Sequence, residues 1–342
     1  MLLVREIEMK KNRTVKKKFS YKAIIFFLIF ELIFTGCTAP LIVFYGPFEN
    51  LKRTIVGMAK STMNHKYIAA LFLSKEEIDQ ILKQPVPTIS ASNIESTGAI
   101  KIQSLHDQGI ERYNIEGNKF NGYMLIINDP SRVKVGYTKQ LGVEGETTSQ
   151  MAIDNNAVAA VNGGGFTDNS SGGKLYVGTG SIPTGLLMAN GKLVAGQEYS
   201  NNNIKFDSMG LTNKGVLIVG LHSLKELVEM GATEIISFGP TLIINGRSQI
   251  QGDGGQGDNP RTAIGQRANG EILMLVIDGR TLTRPGASLR EVEEIMSQYD
   301  AVNAVNLDGG SSSTMYYNGE IVNDPCDPLG ERSIASCLYV KP

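Results

Sequence analysis

Cysteine and histidine are both scarce, at three residues each in a chain of 342. So few thiols cannot build the disulfide framework of a small secreted scaffold, and three scattered histidines leave no His-built zinc site. His65, His106 and His222 also follow no pattern that pairs one of them with a serine nucleophile. Phosphate-loop chemistry is missing, because Gly163-Gly-Gly165 has neither a Gly-Lys-Ser/Thr tail nor a following helix. Asp253-Gly-Gly-Gln-Gly-Asp258 lacks the regular oxygen ligands and closing Glu of an EF-hand, so it reads as a mobile lid and not as a calcium loop. Net positive charge is confined to one end. Residues 1–22 hold eight Lys/Arg and two Glu, which leaves 25 basic against 32 acidic residues in the rest and argues against a nucleic-acid partner.

The basic stretch runs directly into Ala-Ile-Ile-Phe-Phe-Leu-Ile-Phe at 23–30 and an apolar segment reaching Phe48, with Glu31 as its one charge. A run of this length crosses a bilayer as a helix, and the positive flank keeps the N-terminus inside. The expected layout is a cytoplasmic basic tail over 1–22, a transmembrane signal anchor over 23–48 and an exported remainder at the cell membrane. Phe34-Thr-Gly-Cys37 loosely resembles a bacterial lipoprotein cleavage box, and either route tethers the protein outside. In that oxidising space Cys326 and Cys337 are free to pair or to stay apart.

Residues 49–118 read as a stalk helix and a linker. Ser74-Lys-Glu-Glu77 forms a capping box before Ile78, and the Pro, Ser and Asn content rises from Gln84 onward. A catalytic-sized domain is expected over 119–342, opening with two strands, Gly122–Asn128 and Arg132–Thr138, joined by a tight turn at Asp129-Pro-Ser131.

Further along, Ser223-Leu-Lys-Glu-Leu recurs as Ser288-Leu-Arg-Glu-Val. Each opens a helix, and a strand, a glycine loop and an Asn-Gly hairpin follow in the same order. A looser third copy runs from Ala157–Val161 through Asn162-Gly-Gly-Gly165 to Asn190-Gly191, with no evident helix. The expected class is α+β, with mixed twisted β-sheets, a few helices packed on one face and glycine loops gathered at strand ends.

Three loops follow apolar strands: Asn162-Gly-Gly-Gly-Phe166, Gly239-Pro240 and Asn306-Leu-Asp308-Gly-Gly-Ser-Ser312. Arg261-Thr262 enters a strand pair that ends at Asp278-Gly-Arg280. A carboxylate at a strand end followed by glycine lets a ligand approach the backbone while the acid is held rigidly. Paired carboxylates cleave glycosides, and an arginine fork binds phosphate. Together they suit a sugar joined through its anomeric oxygen to a phosphodiester. Its phosphate leaves as a stable anion, so no strong general acid is demanded.

Those segments, with Ala263-Ile-Gly265 after Arg261-Thr262 and the late Glu331-Arg332, resemble the phosphodiester glycosidase family, over about residues 120–342. The family often has Asn-Ala-Gly-Phe-Phe where this chain has Asn162-Gly-Gly-Gly-Phe166. The resemblance implies hydrolysis of a sugar-1-phosphodiester or polysaccharide in cell-envelope or exopolysaccharide material, with no cofactor or metal. Asp308 is expected as the main catalytic carboxylate and Asp278 as its partner. Arg261 and Arg280 are expected on phosphate. Asn162, Gly163, Phe166, Thr262, Gly309, Gly310, Ser311 and Ser312 are expected around the sugar, with Gly239 and Pro240 as a wall. The alternatives are a non-catalytic polysaccharide-binding or assembly protein, and a metal-dependent phosphodiesterase using Asp253, Asp258 and Asp278.

Overall fold

Three Asn-Gly pairs set the frame of the main body. In Asn190-Gly191, Asn245-Gly246 and Asn318-Gly319 both residues have positive φ, between 49° and 92°. That is the requirement of a type I′ turn, and each pair closes a two-stranded hairpin. A computed structural model of the chain describes residues 21–61, 69–83, 100–103, 105–167, 180–281 and 283–342. The basic tail, apart from Tyr21 and Lys22, and the linker over 84–99 lie outside the described residues. The chain divides into two compact units, Met1–Phe48 and Glu49–Pro342.

The first unit holds one helix, Tyr21–Tyr45, long and apolar enough to cross a membrane. Its 25 residues rise about 37 Å, more than the roughly 30 Å of bilayer hydrocarbon.

The second unit carries three copies of one motif. The first has helix Thr148–Asp154, strand Ala159–Asn162 and hairpin Leu187–Ala189/Lys192–Ala195. The second has helix Leu224–Glu229, strand Ala232–Ser237 and hairpin Thr241–Ile244/Arg247–Ser248. The third has helix Leu289–Gln298, strand Ala301–Leu307 and hairpin Met315–Tyr317/Glu320–Ile321. No copy pairs its own strand with its own hairpin. The strand of the second takes the hairpin of the first, the third takes that of the second, and the first takes that of the third. All these pairings are antiparallel, and the exchange closes into a cycle.

Each strand is completed on its other side by two more strands. Ser336–Val340 and Val133–Tyr137 flank the first, Phe206–Thr212 and Leu217–His222 the second, Arg261–Arg267 and Ile272–Ile277 the third. Asn121–Ile127 and then Ile110–Glu116 extend the third to seven strands. The outermost, Ile110–Glu116, is mostly exposed and carries Glu111, Arg112 and Glu116, charges that blunt a sheet edge.

Strand periodicity divides the core. In Ile272–Ile277, alternate residues Ile272, Met274 and Val276 join Val161, Ile236, Val305, Leu187, Ile244 and Met315 in a cluster drawn from each of the three large sheets. The intervening Leu273, Leu275 and Ile277 meet Leu289, Val292, Ile295 and Met296 of the third helix. The other two helices cover the outer faces of their own sheets in the same way. Burial on both faces explains why these strands read as continuous apolar runs.

Several expectations change. The helices are distributed one per sheet, not gathered on one face. The first copy does have a helix, capped by Thr147, whose hydroxyl accepts from the Gln150 amide. Strands Asn121–Ile127 and Val133–Tyr137 exist but enter different sheets, because Asp129 caps the 3-10 turn Pro130–Arg132 between them. The body is already engaged at Lys101 and Gln103, whose amides donate to Ala268 and Asn269. Helix Glu49–Ser61, expected as part of a stalk, packs on the body: Thr54 and Val56 are buried and the Asp258 amide donates to Thr54 Oγ1 at 3.1 Å. All three cysteines are free, with Cys337 buried in a central strand and Cys326 beside Arg280.

Candidate active site

The cyclic exchange brings the three glycine loops together. Asn162, Ser237 and Asn306 occupy equivalent strand ends, their amides donating to Thr314, Leu186 and Pro240 of the neighbouring copy. All three are buried, and each side chain grips the next loop. Asn162 Nδ2 donates to the Asp308 carbonyl at 2.6 Å, Asn306 Nδ2 to the Gly239 carbonyl at 3.0 Å, and Ser237 Oγ accepts from the Leu186 amide at 2.9 Å. The Asp308 amide in turn donates to the Gly163 carbonyl at 3.1 Å. Asp308 thus sits on backbone fixed from two sides before any ligand arrives.

Register places the second carboxylate. Arg261 faces Ile277 and Thr262 faces Leu307, so Asp278 and Asp308 are the first residues beyond the strands on either side of Arg261–Arg267. Two strand spacings separate their backbones by roughly 10 Å.

Both carboxyls are pushed up to about 6, in each case chiefly by burial. For Asp308 the Ser312 hydroxyl, the Arg332 charge, the Gly309 amide at 3.0 Å and the Arg280 charge act in the opposite direction. For Asp278 the opposing groups are Asn323 Nδ2 at 2.9 Å, the Asp324 amide at 3.1 Å and the Tyr123 hydroxyl, while the Asp324 carboxylate adds to the rise. Such groups exchange protons near neutrality, which is where acid–base catalysis operates.

Two guanidinium groups influence Asp308. Arg332 lies over the Phe166 ring at 4.9 Å and donates to Ser311 Oγ at 3.0 Å. Arg280, at a φ of 62°, packs against Gly310, where a Cβ would lie 2.5 Å from Nη2. Its Nη1 is 3.9 Å from Cys326 Sγ. The segment from Asn323 to Arg332 therefore straps the site: Asn323 and Asp324 hold Asp278, Cys326 meets Arg280, Glu331 accepts from the Ser149 amide and hydroxyl, and Arg332 reaches Ser311. Arg332 and the strap were not singled out as site residues from sequence. The signal was the Glu331-Arg332 pair, which periodicity cannot connect to a loop twenty residues earlier.

Other expected site residues take supporting positions. Arg261 is buried and commits its fork to the carbonyls of Ala287 at 3.1 Å and Gly257 at 2.7 Å and to Gln256 Oε1 at 2.8 Å. Desolvation lowers its pKa to about 10. It clamps the 252–258 loop where a phosphate contact was expected, and Arg290 holds the same loop at the Gly252 carbonyl. That loop is tied down, not a free lid. Asn162 and Thr262 have no exposed surface: Asn162 Oδ1 accepts from Thr262 Oγ1 at 2.6 Å and the Thr314 amide at 3.2 Å. A sugar contact would have to break those bonds, so both position Asp308. Gly163 is needed for close approach, since a Cβ there would lie 2.6 Å from Ser336 Oγ. Gly239-Pro240, joined by a cis peptide bond, reaches the site through Asn306. Gly309, Gly310, Ser311 and Ser312 form the turn directly after Asp308.

The triple Asp253, Asp258 and Asp278 does not gather. Asp258 pairs with Lys119 at 2.9 Å, Asp253 caps its own loop at Gly255, and Asp278 is held by Asn323. Among the described residues no group of three or more His, Cys, Asp or Glu could hold a metal ion.

Comparison with known proteins identifies the family. N-acetylglucosamine-1-phosphodiester alpha-N-acetylglucosaminidase of Mus musculus is 27% identical over 234 residues, covering 63% of this chain and 43% of its own length. The Bos taurus enzyme of the same name is 30% identical over 181 residues, 48% of this chain and 33% of its own. The chain thus spans less than half the length of these relatives. The solved catalytic domain of the zebrafish enzyme, described as auto-inhibited by its pro-peptide, shares the fold with a TM-score of 0.55 at 23% identity, over 76% of this chain and 87% of that one. The family model for phosphodiester glycosidases matches residues 155–341, which is more than half of the sequence and includes all three glycine loops, both carboxylates and the strap. The chain belongs to the phosphodiester glycosidase family.

Proposed function

We propose that the protein is a membrane-anchored, extracytoplasmic hydrolase that cleaves the glycosidic bond of a sugar-1-phosphodiester in cell-envelope or exopolysaccharide material. The observation that carries this reading is a pair of desolvated carboxyls flanking one strand start, with two guanidinium groups acting on one of them. Arg280 and Arg332 would hold the phosphate, and ionised Asp308 would stabilise or attack the anomeric carbon as the C1–O bond breaks. The leaving phosphate carries the bonding pair away as an anion, and Asp278 orients or deprotonates the water that completes the sugar. The products are a free reducing sugar and a phosphomonoester.

Incubating the full-length chain in vesicles with the methyl ester of N-acetylglucosamine-1-phosphate tests the reading. Release of reducing sugar by the native chain and its loss in Asp308→Asn, with circular dichroism unchanged, are expected. Glycan binding without product release would instead favour a non-catalytic binding protein.

A further inference from the structure

The glycine loop of the second copy brings to the site an aromatic ring that the core does not use. Phe238 is half-buried, and among the described residues it joins none of the four apolar clusters of the core. Its ring lies against the first loop instead: a Cβ at Gly165 would sit 3.0 Å from that ring and 2.9 Å from Oγ1 of the exposed Thr184. The next residue, Gly239, packs on Asp207, whose Oδ2 would be 2.9 Å from a Cβ there. Asp207 is half-buried and commits Oδ1 to Thr241, accepting from its hydroxyl at 2.7 Å and its amide at 3.3 Å. Oδ2 keeps its capacity to accept from another donor.

These groups adjoin the strand before Asp308, whereas the guanidinium groups adjoin the turn after it. Arg280 and Arg332 reach that turn at Gly310 and Ser311. The Gly239 carbonyl accepts from Asn306 Nδ2 at 3.0 Å, and the Pro240 carbonyl from the Asn306 amide at 3.1 Å. One strand spacing and two strand residues therefore separate the backbones of Gly239 and Asp308, on the order of 10 Å, which a second sugar ring beyond the first can reach. An aromatic face packs on the C–H bonds of a pyranose, while a carboxylate oxygen and a hydroxyl pair with its hydroxyls. An apolar wall with a few placed polar groups is what orients a small ligand. An anionic group would be repelled by Asp207, and an alkyl chain would leave its carboxylate without a donor.

We infer that Phe238, Asp207 and Thr184 form a second sugar subsite, which takes the residue preceding the one cleaved from phosphate, so that the substrate is an oligosaccharyl phosphodiester. This rests on the proposed glycosidase reading and narrows its substrate class. Phe238 stacks on the ring of the added sugar, while Asp207 Oδ2 and Thr184 Oγ1 meet its hydroxyls. The three select the substrate and take no part in breaking the bond.

The test uses the full-length chain in phosphatidylcholine vesicles with two probes, the methyl esters of N-acetylglucosamine-1-phosphate and of N,N′-diacetylchitobiose-1-phosphate. The native chain is expected to hydrolyse the disaccharide ester with a kcat/KM at least about tenfold higher. Asp207→Asn keeps the oxygen that Thr241 needs and removes the acceptor at Oδ2, and Phe238→Ala removes the ring. Each should erase most of the preference, mainly by raising KM for the disaccharide ester. Equal rates on both esters, a preference for the monosaccharide ester, or a preference that neither variant alters would overturn the subsite while leaving glycosidase activity intact. Losses of the same size on both esters in the two variants would also overturn it, because the side chains would then support the reacting sugar or the fold. Failure of the native chain to cleave either ester would instead remove the glycosidase reading itself, and this inference with it.

Discussion

Replacing Asp308 by Asn should abolish turnover and at the same time stabilise the protein. In the native state burial raises this carboxyl to about 6 from an ordinary value of 3.8. Between those limits the folded chain holds a proton that the unfolded chain has released. Stability therefore falls as pH rises from about 4 to about 6 and stays lowered above that. A shift of this size corresponds to about 3 kcal/mol at neutral pH, an upper bound because Asp308 keeps some solvent contact. Asparagine keeps the oxygen that accepts from Gly309 and removes the charge. A gain of up to about 3 kcal/mol is expected near pH 7.5, a rise in Tm of roughly 5 °C for a domain of this length. Denaturation of both proteins across about pH 4 to 8 measures it. The gain should vanish near the acid end; a loss of stability at neutral pH, or a gain independent of pH, would refute the reasoning.

Asn162→Ala removes the amide holding the Asp308 carbonyl and leaves Thr262 and the Thr314 amide without their acceptor. It should cost about 2–4 kcal/mol in a denaturation assay and lower kcat more than it raises KM. Gly310→Ala places a methyl against Arg280 Nη2 on a backbone with φ of 62°, so it should cost about 1 kcal/mol and weaken substrate binding, read as KM. The pH profile of kcat/KM should fall below about 6, as Asp308 takes up its proton, and Asp278→Asn should change the shape of that profile.

Local chemistry made the repeats legible. Ser223 and Ser288 form capping boxes with Glu226 and Glu291, and each Asn-Gly pair takes the left-handed backbone that its hairpin needs. Asp308 was visible because two glycines and three serines after an apolar strand make a costly turn with little structural reward, whereas Asp278-Gly279 alone reads as an ordinary turn and stood out only beside Arg280 and the Asp308 loop. The exchange of hairpins between copies was not visible, since antiparallel pairing depends on distance through space and not on residue type. Hidden with it were the roles that follow from the exchange. Asn162 reads as a free polar loop residue until Thr314 and Asp308 are brought to it. Arg261 reads as an anion ligand until the carbonyls of Gly257 and Ala287 occupy its fork. The helix of the first copy carried half a signal in Thr147 and Gln150, but Gln150 turns its side chain to Asp154 and no full capping box forms.

Hydrolysis of the methyl ester of N-acetylglucosamine-1-phosphate by the full-length chain in ¹⁸O-labelled water distinguishes the bond that breaks. Cleavage between the anomeric carbon and oxygen, with Asp308 acting at carbon, places the label in the sugar and leaves the phosphomonoester unlabelled. Label found in the phosphate would mean attack at phosphorus and would contradict the account.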